Sequence, residues 1–238
     1  MRVASIYGPV QEDLRLVEDA LDRIKHVENF PALSKMLAHV LAVSGKRLRP
    51  AIALLAGQFG DYNTDLHVPL AASIELLHTA TLVHDDVIDA SPSRRGRPTA
   101  NELFSNTVSV MLGDYMFAHS AELISRTDNT KVVRLFAHTI MAIAGGELHQ
   151  DLSAYDYGQD TIKYFGRIEG KTASLFATSA EGGAMVARCT PAEREALRTY
   201  GLNVGMAFQG VDDILDFAGE EEEMGKPIGS DLMAGTLT

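Results

Sequence analysis

Cysteine is almost absent from this chain: Cys189 is the only one in 238 residues. An intrachain disulfide is therefore excluded, and a reducing compartment suits the composition. A basic surplus is missing as well. Lys and Arg number 21 against 32 Asp and Glu, a net charge of -11 that argues against a general nucleic-acid surface. No uninterrupted apolar run approaches the ~20 residues of a membrane span. Residues 1–10 lack the apolar core of a signal peptide. The expectation is a cytoplasmic protein with no membrane span. Strand-length alternation, tandem repeats, a Walker-type phosphate loop, a serine–histidine triad and a cysteine nucleophile are also missing. What is present is ordinary globular material, 46% hydrophobic and 22% charged, long enough for one domain with a sizeable core.

The periodicity of that material is helical. Leu14, Val17, Leu21 and Ile24 form one stripe over Gln11 to Val27. Helices are predicted from Leu33 to Val43, Pro50 to Gln58, Thr64 to Ala90, Asn106 to Arg126 and Asn129 to Ala154. Thr190-Pro191-Ala192-Glu193 has Thr at N-cap, Pro at N1 and Glu at N3, a helix start that should run to about Phe217. The fold class is all-α, a single-domain bundle of roughly ten helices around a central cavity, taking residues 1–238 as one domain.

Chemistry concentrates in two acidic clusters. Asp85-Asp86-Val87-Ile88-Asp89 lies at the end of a long apolar helix, and three carboxylates there would be costly without a compensating ligand. Asp85 and Asp89 are i and i+4, so they share a face. Such a pair suits a hard cation with oxygen ligands, and Mg2+ is the usual choice where phosphate oxygens must be held as well. The pattern recurs at Asp212-Asp213-Ile214-Leu215-Asp216. Cationic segments punctuate the chain around these clusters. Gly45-Lys46-Arg47-Leu48-Arg49-Pro50 feeds an apolar helix and reads as an anion site, against the alternative of a solvated loop. Ser91 to Thr99 carries Arg94, Arg95 and Arg97 directly after the first cluster, either a diphosphate grip or charge balance at a helix end. His78 lies two turns before Asp85 and reads evenly as ligand or satisfied core residue. Glu147 and Gln150 are i and i+3 and could share a face with the site. Lys171, in Gly170-Lys171-Thr172, is a phosphate contact or a snorkelling surface lysine.

Carboxylates on two helices, cations at the rim and apolar walls suit a diphosphate ester with an apolar tail. Metal bridging carboxylates and diphosphate would stabilise charge on the leaving group. An allylic ester would then give a delocalised carbocation, protected from water by a dry cavity.

These motifs, in this order, resemble those of the trans-isoprenyl diphosphate synthases, also called polyprenyl synthetases, from about Leu33 to the end of the chain. Gly45 to Pro50 is similar to a G-K-R-x-R-P motif and Asp85 to Asp89 to the first aspartate-rich motif. Arg94-Arg95-Gly96 follows as R-R-G, Lys171-Thr172 as K-T, and Phe208 to Asp216 as the second aspartate-rich motif. Gly225 to Asp231 is similar to the loop after it. The resemblance implies the isoprenoid synthase fold and head-to-tail 1'-4 condensation of isopentenyl diphosphate with an allylic prenyl diphosphate. It implies Mg2+ held by Asp85, Asp89, Asp212 and Asp216, and catalytic roles for Asp85, Asp89, Lys171 and Asp212. Lys46, Arg49, His78 and Arg95 would bind isopentenyl diphosphate. Arg94, Lys171, Thr172, Gln209 and Lys226 would contact the allylic diphosphate. A homodimer is implied too.

Departures exist. Ser44 replaces a common second Gly, Gly210 a common aliphatic residue, and Thr236 a common Lys. The family pattern also continues with helices beyond Thr238, so C-terminal helices are expected to be missing. Ala80 and Thr81, one turn before Asp85, are small where short-chain members place an aromatic, which suggests a medium or long prenyl product. The competing readings are an inactive partner subunit of a heteromeric prenyl synthase, an HD-type metal phosphohydrolase prompted by His84-Asp85, and a class I terpene cyclase.

Overall fold

A computed structural model describes residues 6–42, 45–219 and 228–238. The architecture is helical: α1 (Gln11–Ile24), α2 (Pro31–Leu41), α3 (Leu48–Gly57), α4 (Thr64–Ile88), α5 (Ala100–Phe104), α6 (Asn106–Ser125), α7 (Thr130–Leu152), α8 (Thr161–Ile168), α9 (Ser174–Val186), α10 (Pro191–Ala218) and the short α11 (Ser230–Met233). The expected all-α class holds, with boundaries displaced by one to three residues.

Helix α4 is the axis of the bundle. It packs on α1, α3, α6 and α9, and Leu70, Ile74, Leu76 and Leu77 have at most 1% of their surface exposed. Each such side chain contributes roughly 1.5–3 kcal/mol by leaving water. By length and composition α4 is apolar enough to cross a bilayer, a property the sequence reading did not register. Most of it is instead buried inside this molecule. Asn63 caps it, its side chain accepting from the Asp65 amide at 2.9 Å.

Two local features depart from expectation. The segment after α4, in a chain without strand-length alternation, contains a two-stranded antiparallel hairpin, Ser93–Arg94 with Arg97–Pro98. Its turn needs two residues of positive φ, which Arg95 (52°) and Gly96 (72°) supply. Within Asp160 to Cys189, α8 and α9 are joined by a π-helical turn, Glu169–Ala173, which no sequence signal marked. The helix start at Thr190 is as expected: Thr190 and Glu193 form a complete capping box.

Candidate functional site

The first acidic cluster ends α4 and the second lies near the end of α10. Within each, burial divides the roles. Asp86 is buried and accepts a 2.7 Å hydrogen bond from Arg94 Nε, which ties the hairpin to the helix. Asp213 is buried between two donors, Gln209 Nε2 at 2.7 Å and the Tyr164 hydroxyl at 2.6 Å. Burial and that carboxylate push the Tyr164 phenol up to about 12. Asp216 is only 1% exposed, and its carboxylate accepts the Asp231 amide at 3.2 Å. Asp216 is therefore the expected metal ligand that turns inward, where it anchors α11.

Asp85, Asp89 and Asp212 are the remaining members of the two clusters. Burial pushes the Asp85 carboxyl up to about 7; Glu147 and Asp89 add to this, and Lys171 and Arg94 oppose it. Desolvation likewise raises Asp89. Asp212 is half-buried, and its charge reaches Arg49.

The π turn links the two walls. A π turn accommodates one extra residue within a helix and re-aims the side chains around it. Lys171 Nζ sits 2.6 Å from Glu147 Oε2 and donates a longer bond, 3.4 Å, to Gln150 Oε1 on α7. Thr172, its neighbour, donates through Oγ1 to Gln209 Oε1 on α10 at 2.8 Å. Helix α7 can approach only because residue 146 is glycine. A Cβ there would lie 2.7 Å from the Lys171 backbone nitrogen.

The cationic side is built around a buried carboxylate that sequence reasoning passed over. Glu75 on α4 is 6% exposed and accepts from Arg47 Nη1 at 2.5 Å. A lone carboxylate inside the apolar stretch from Ala71 to Val83 was the available signal, since a buried charge requires a partner. Arg49 stacks its guanidinium 4.4 Å from the Phe176 ring centroid. Its Nε is buried without a hydrogen-bond partner, and burial pulls the group down to about 10 against the attraction of Glu75 and Asp212. Burial, then Arg49, Arg95, Arg94 and Arg47, hold the His78 imidazole well below its usual range, so it is neutral at pH 7. A hollow of about 70 Å³ is lined by Gly45, Arg47, Glu75, His78, Arg94 and Arg95 among others. Lys46 is exposed and does not line it, nor does Arg49. Lys226 lies outside the described residues.

A larger cavity of about 500 Å³ opens beside the first acidic cluster, between α4, α6 and α7. Asp85, Glu147 and Asp151 form its polar end, and Leu77, Thr81, Phe117, Ile140 and Ile143 line its apolar part. Asp85 and Leu77 are eight residues apart, about 12 Å along the helix. Thr81 faces this cavity. Ala80 does not: it is fully buried in the core and absent from the lining. His84 also lines it, with Nε2 donating to the Val110 carbonyl at 2.9 Å.

Among the described residues no three histidine, cysteine or acidic side chains converge on a single point. The donor set nonetheless fits a hard divalent cation. Asp85 and Asp89 are carboxylate oxygens whose desolvation and mutual repulsion such a cation would relieve.

A family model described as polyprenyl synthetase matches residues 30–238. The chain is 41% identical over 238 residues to heptaprenyl diphosphate synthase component 2 of Geobacillus stearothermophilus, covering all of this chain and 74% of that protein. It superposes on the crystal structure of a decaprenyl diphosphate synthase from Rhodobacter capsulatus with a TM-score of 0.93 at 39% identity, covering 100% of this chain and 73% of that one. A polyprenyl synthase from Caulobacter crescentus, solved with calcium and isoprenyl diphosphate, gives 0.93 at 37% identity, covering 100% and 72% respectively.

Proposed function

The chain belongs to the polyprenyl synthetase family, the trans-isoprenyl diphosphate synthases of medium and long chain, and from that premise we propose that it condenses isopentenyl diphosphate head-to-tail with an allylic prenyl diphosphate. The observation that carries this reading is the sharing of the π turn. Lys171 faces Asp85, Asp89 and Glu147, while Thr172 reaches Gln209 beside the second cluster. One anionic headgroup can thus be held by both walls.

Asp85, Asp89 and Asp212 would hold Mg2+, which when bound neutralises charge building on the departing diphosphate. Asp216 supports the loop behind them. Lys171, Thr172, Gln209 and Arg94 grip the allylic diphosphate, with Lys226 assigned there by resemblance alone. The allylic C1–O bond breaks, its electron pair leaving with pyrophosphate. The double bond of isopentenyl diphosphate, held by Lys46, Arg49, His78 and Arg95, attacks C1. A proton then passes from its C2 to pyrophosphate, giving a longer trans-polyprenyl diphosphate. His78, being neutral, offers a hydrogen bond where the arginines offer charge. The lengthening tail enters the 500 Å³ cavity past Thr81. The single cysteine supports a cytoplasmic setting, and a homodimer is the assembly we propose.

The test is incubation of the purified chain with radiolabelled isopentenyl diphosphate, farnesyl diphosphate and Mg2+, with thin-layer analysis of the products. Elongated prenyl chains are expected. Farnesol alone, or cyclic hydrocarbons, would overturn the reading. The name of the Geobacillus relative, a component 2, favours a second reading in which the chain works with a different protein. In that case elongation appears only after the partner component is added.

A further inference from the structure

Three cations stand close together in Lys46-Arg47-Leu48-Arg49, and the structure treats the middle one differently. All three guanidinium nitrogens of Arg47 are engaged. Nε and Nη2 donate to the two carboxylate oxygens of Glu18 on α1, and Nη1 donates to Glu75 on α4. The Arg47 side chain is 15% exposed and that of Glu75 only 7%, so the bridge is largely shielded from water. Lys46 and Arg49, by contrast, make no ion pair with the described residues. The Arg47 backbone is also unusual. Its φ of 51° and ψ of 34° are left-handed, at the N-cap of α3. A non-glycine residue in that conformation costs of order 1–3 kcal/mol and persists only where its surroundings hold it. The surroundings here are the two carboxylates, together with Tyr7, whose hydroxyl donates to the Lys46 carbonyl at 2.7 Å. The chain turns sharply at Arg47, between Lys46 and Arg49.

We propose that Arg47 is a positioning residue: a strut, clamped by Glu18 and Glu75, that fixes the turn from which Lys46 and Arg49 reach a diphosphate. The inference rests on the assignment of isopentenyl diphosphate to this cationic region. It departs from the simplest expectation, in which every cation of the motif binds the anion directly.

Glu18 separates the alternatives. It does not line the neighbouring hollow, and its side chain is 45% exposed, so Glu18→Gln leaves the core intact. If Arg47 were a direct ligand, removing a competing negative charge would free it and tighten diphosphate binding. If Arg47 is a strut, the same change loosens the turn and weakens binding. Calorimetric titration with isopentenyl diphosphate should give about fivefold weaker affinity for E18Q and about tenfold weaker for Arg47→Met, the scale of one ordinary hydrogen bond. The double variant should match R47M alone, because both changes break one device. Farnesyl diphosphate affinity in Mg2+ should not move. Unchanged or tighter isopentenyl diphosphate binding by E18Q, or equal weakening of both ligands, would overturn the strut. Should R47M fail to fold, E18Q alone decides. Absence of isopentenyl diphosphate binding by the unaltered chain would instead refute the substrate assignment.

Discussion

Asp85 shows how a single side chain can be set against the fold that carries it. Its carboxyl is raised to about 7, chiefly by burial, from an unfolded value near 3.8. Between those values the folded chain binds more protons than the unfolded one. Stability must therefore fall as pH rises through that window, with the full cost present above about pH 7. Metal-free Asp85→Asn should accordingly melt on the order of 3 °C higher than the unaltered chain at pH 8, the effect of about 1 kcal/mol at this size, and no higher at pH 4. Scanning calorimetry in EDTA checks this. The same substitution should cut prenyl transfer by on the order of 10³, since it removes charge where the leaving group is stabilised. Two neighbouring residues invite a second comparison. Thr81 lines the cavity and Ala80 is sealed in the core. Thr81→Phe is expected to shorten the product by at least one isoprene unit on radio-TLC. Ala80→Phe should instead lower stability by about 1–3 kcal/mol through overpacking.

At the scale of elements, the legible parts were those written in periodicity and capping. The stripe of α1, the apolar run of α4 and the Thr190 capping box gave helices close to their observed limits. Both aspartate trios were visible as patterns, but the inward turn of Asp86, Asp213 and Asp216 was not. That turn depends on Arg94, Tyr164 and Asp231, partners supplied by other segments. The π turn was hidden because its insertion leaves no compositional mark; Glu169 to Ala173 reads as ordinary helix. The only local hint was Gly145-Gly146 on the facing helix. Gly146→Ala tests that contact. Its Cβ would meet backbone at 2.7 Å, which cannot yield as a side-chain tip can. A loss of about 1–3 kcal/mol is expected by chemical denaturation. The allylic substrate should also bind more weakly, because Lys171 moves with the turn.

The whole molecule joins its two carboxylate clusters through the Lys171–Thr172 turn, with Lys171 toward Asp85 and Asp89 and Thr172 toward Gln209, and a cavity walled by three helices opens beside the first cluster. The proposed homodimer is a question of mass at this scale. Sedimentation equilibrium should give a particle of about twice 25.8 kDa. A particle of 25.8 kDa that elongates prenyl chains only with an added component would favour the heteromeric assembly instead.

Helix α4 carries a further implication. One side of it forms the centre of the hydrophobic core and another bounds the tail cavity, while its final turn holds the acidic groups. Selection for a different product length therefore finds little room on α4, where most changes would also be paid for in folding. The facing α7 surface of Ile140, Ile143 and Leu148 is only partly enclosed. Libraries aimed at new chain lengths should be richer in working variants when they randomise that opposite wall.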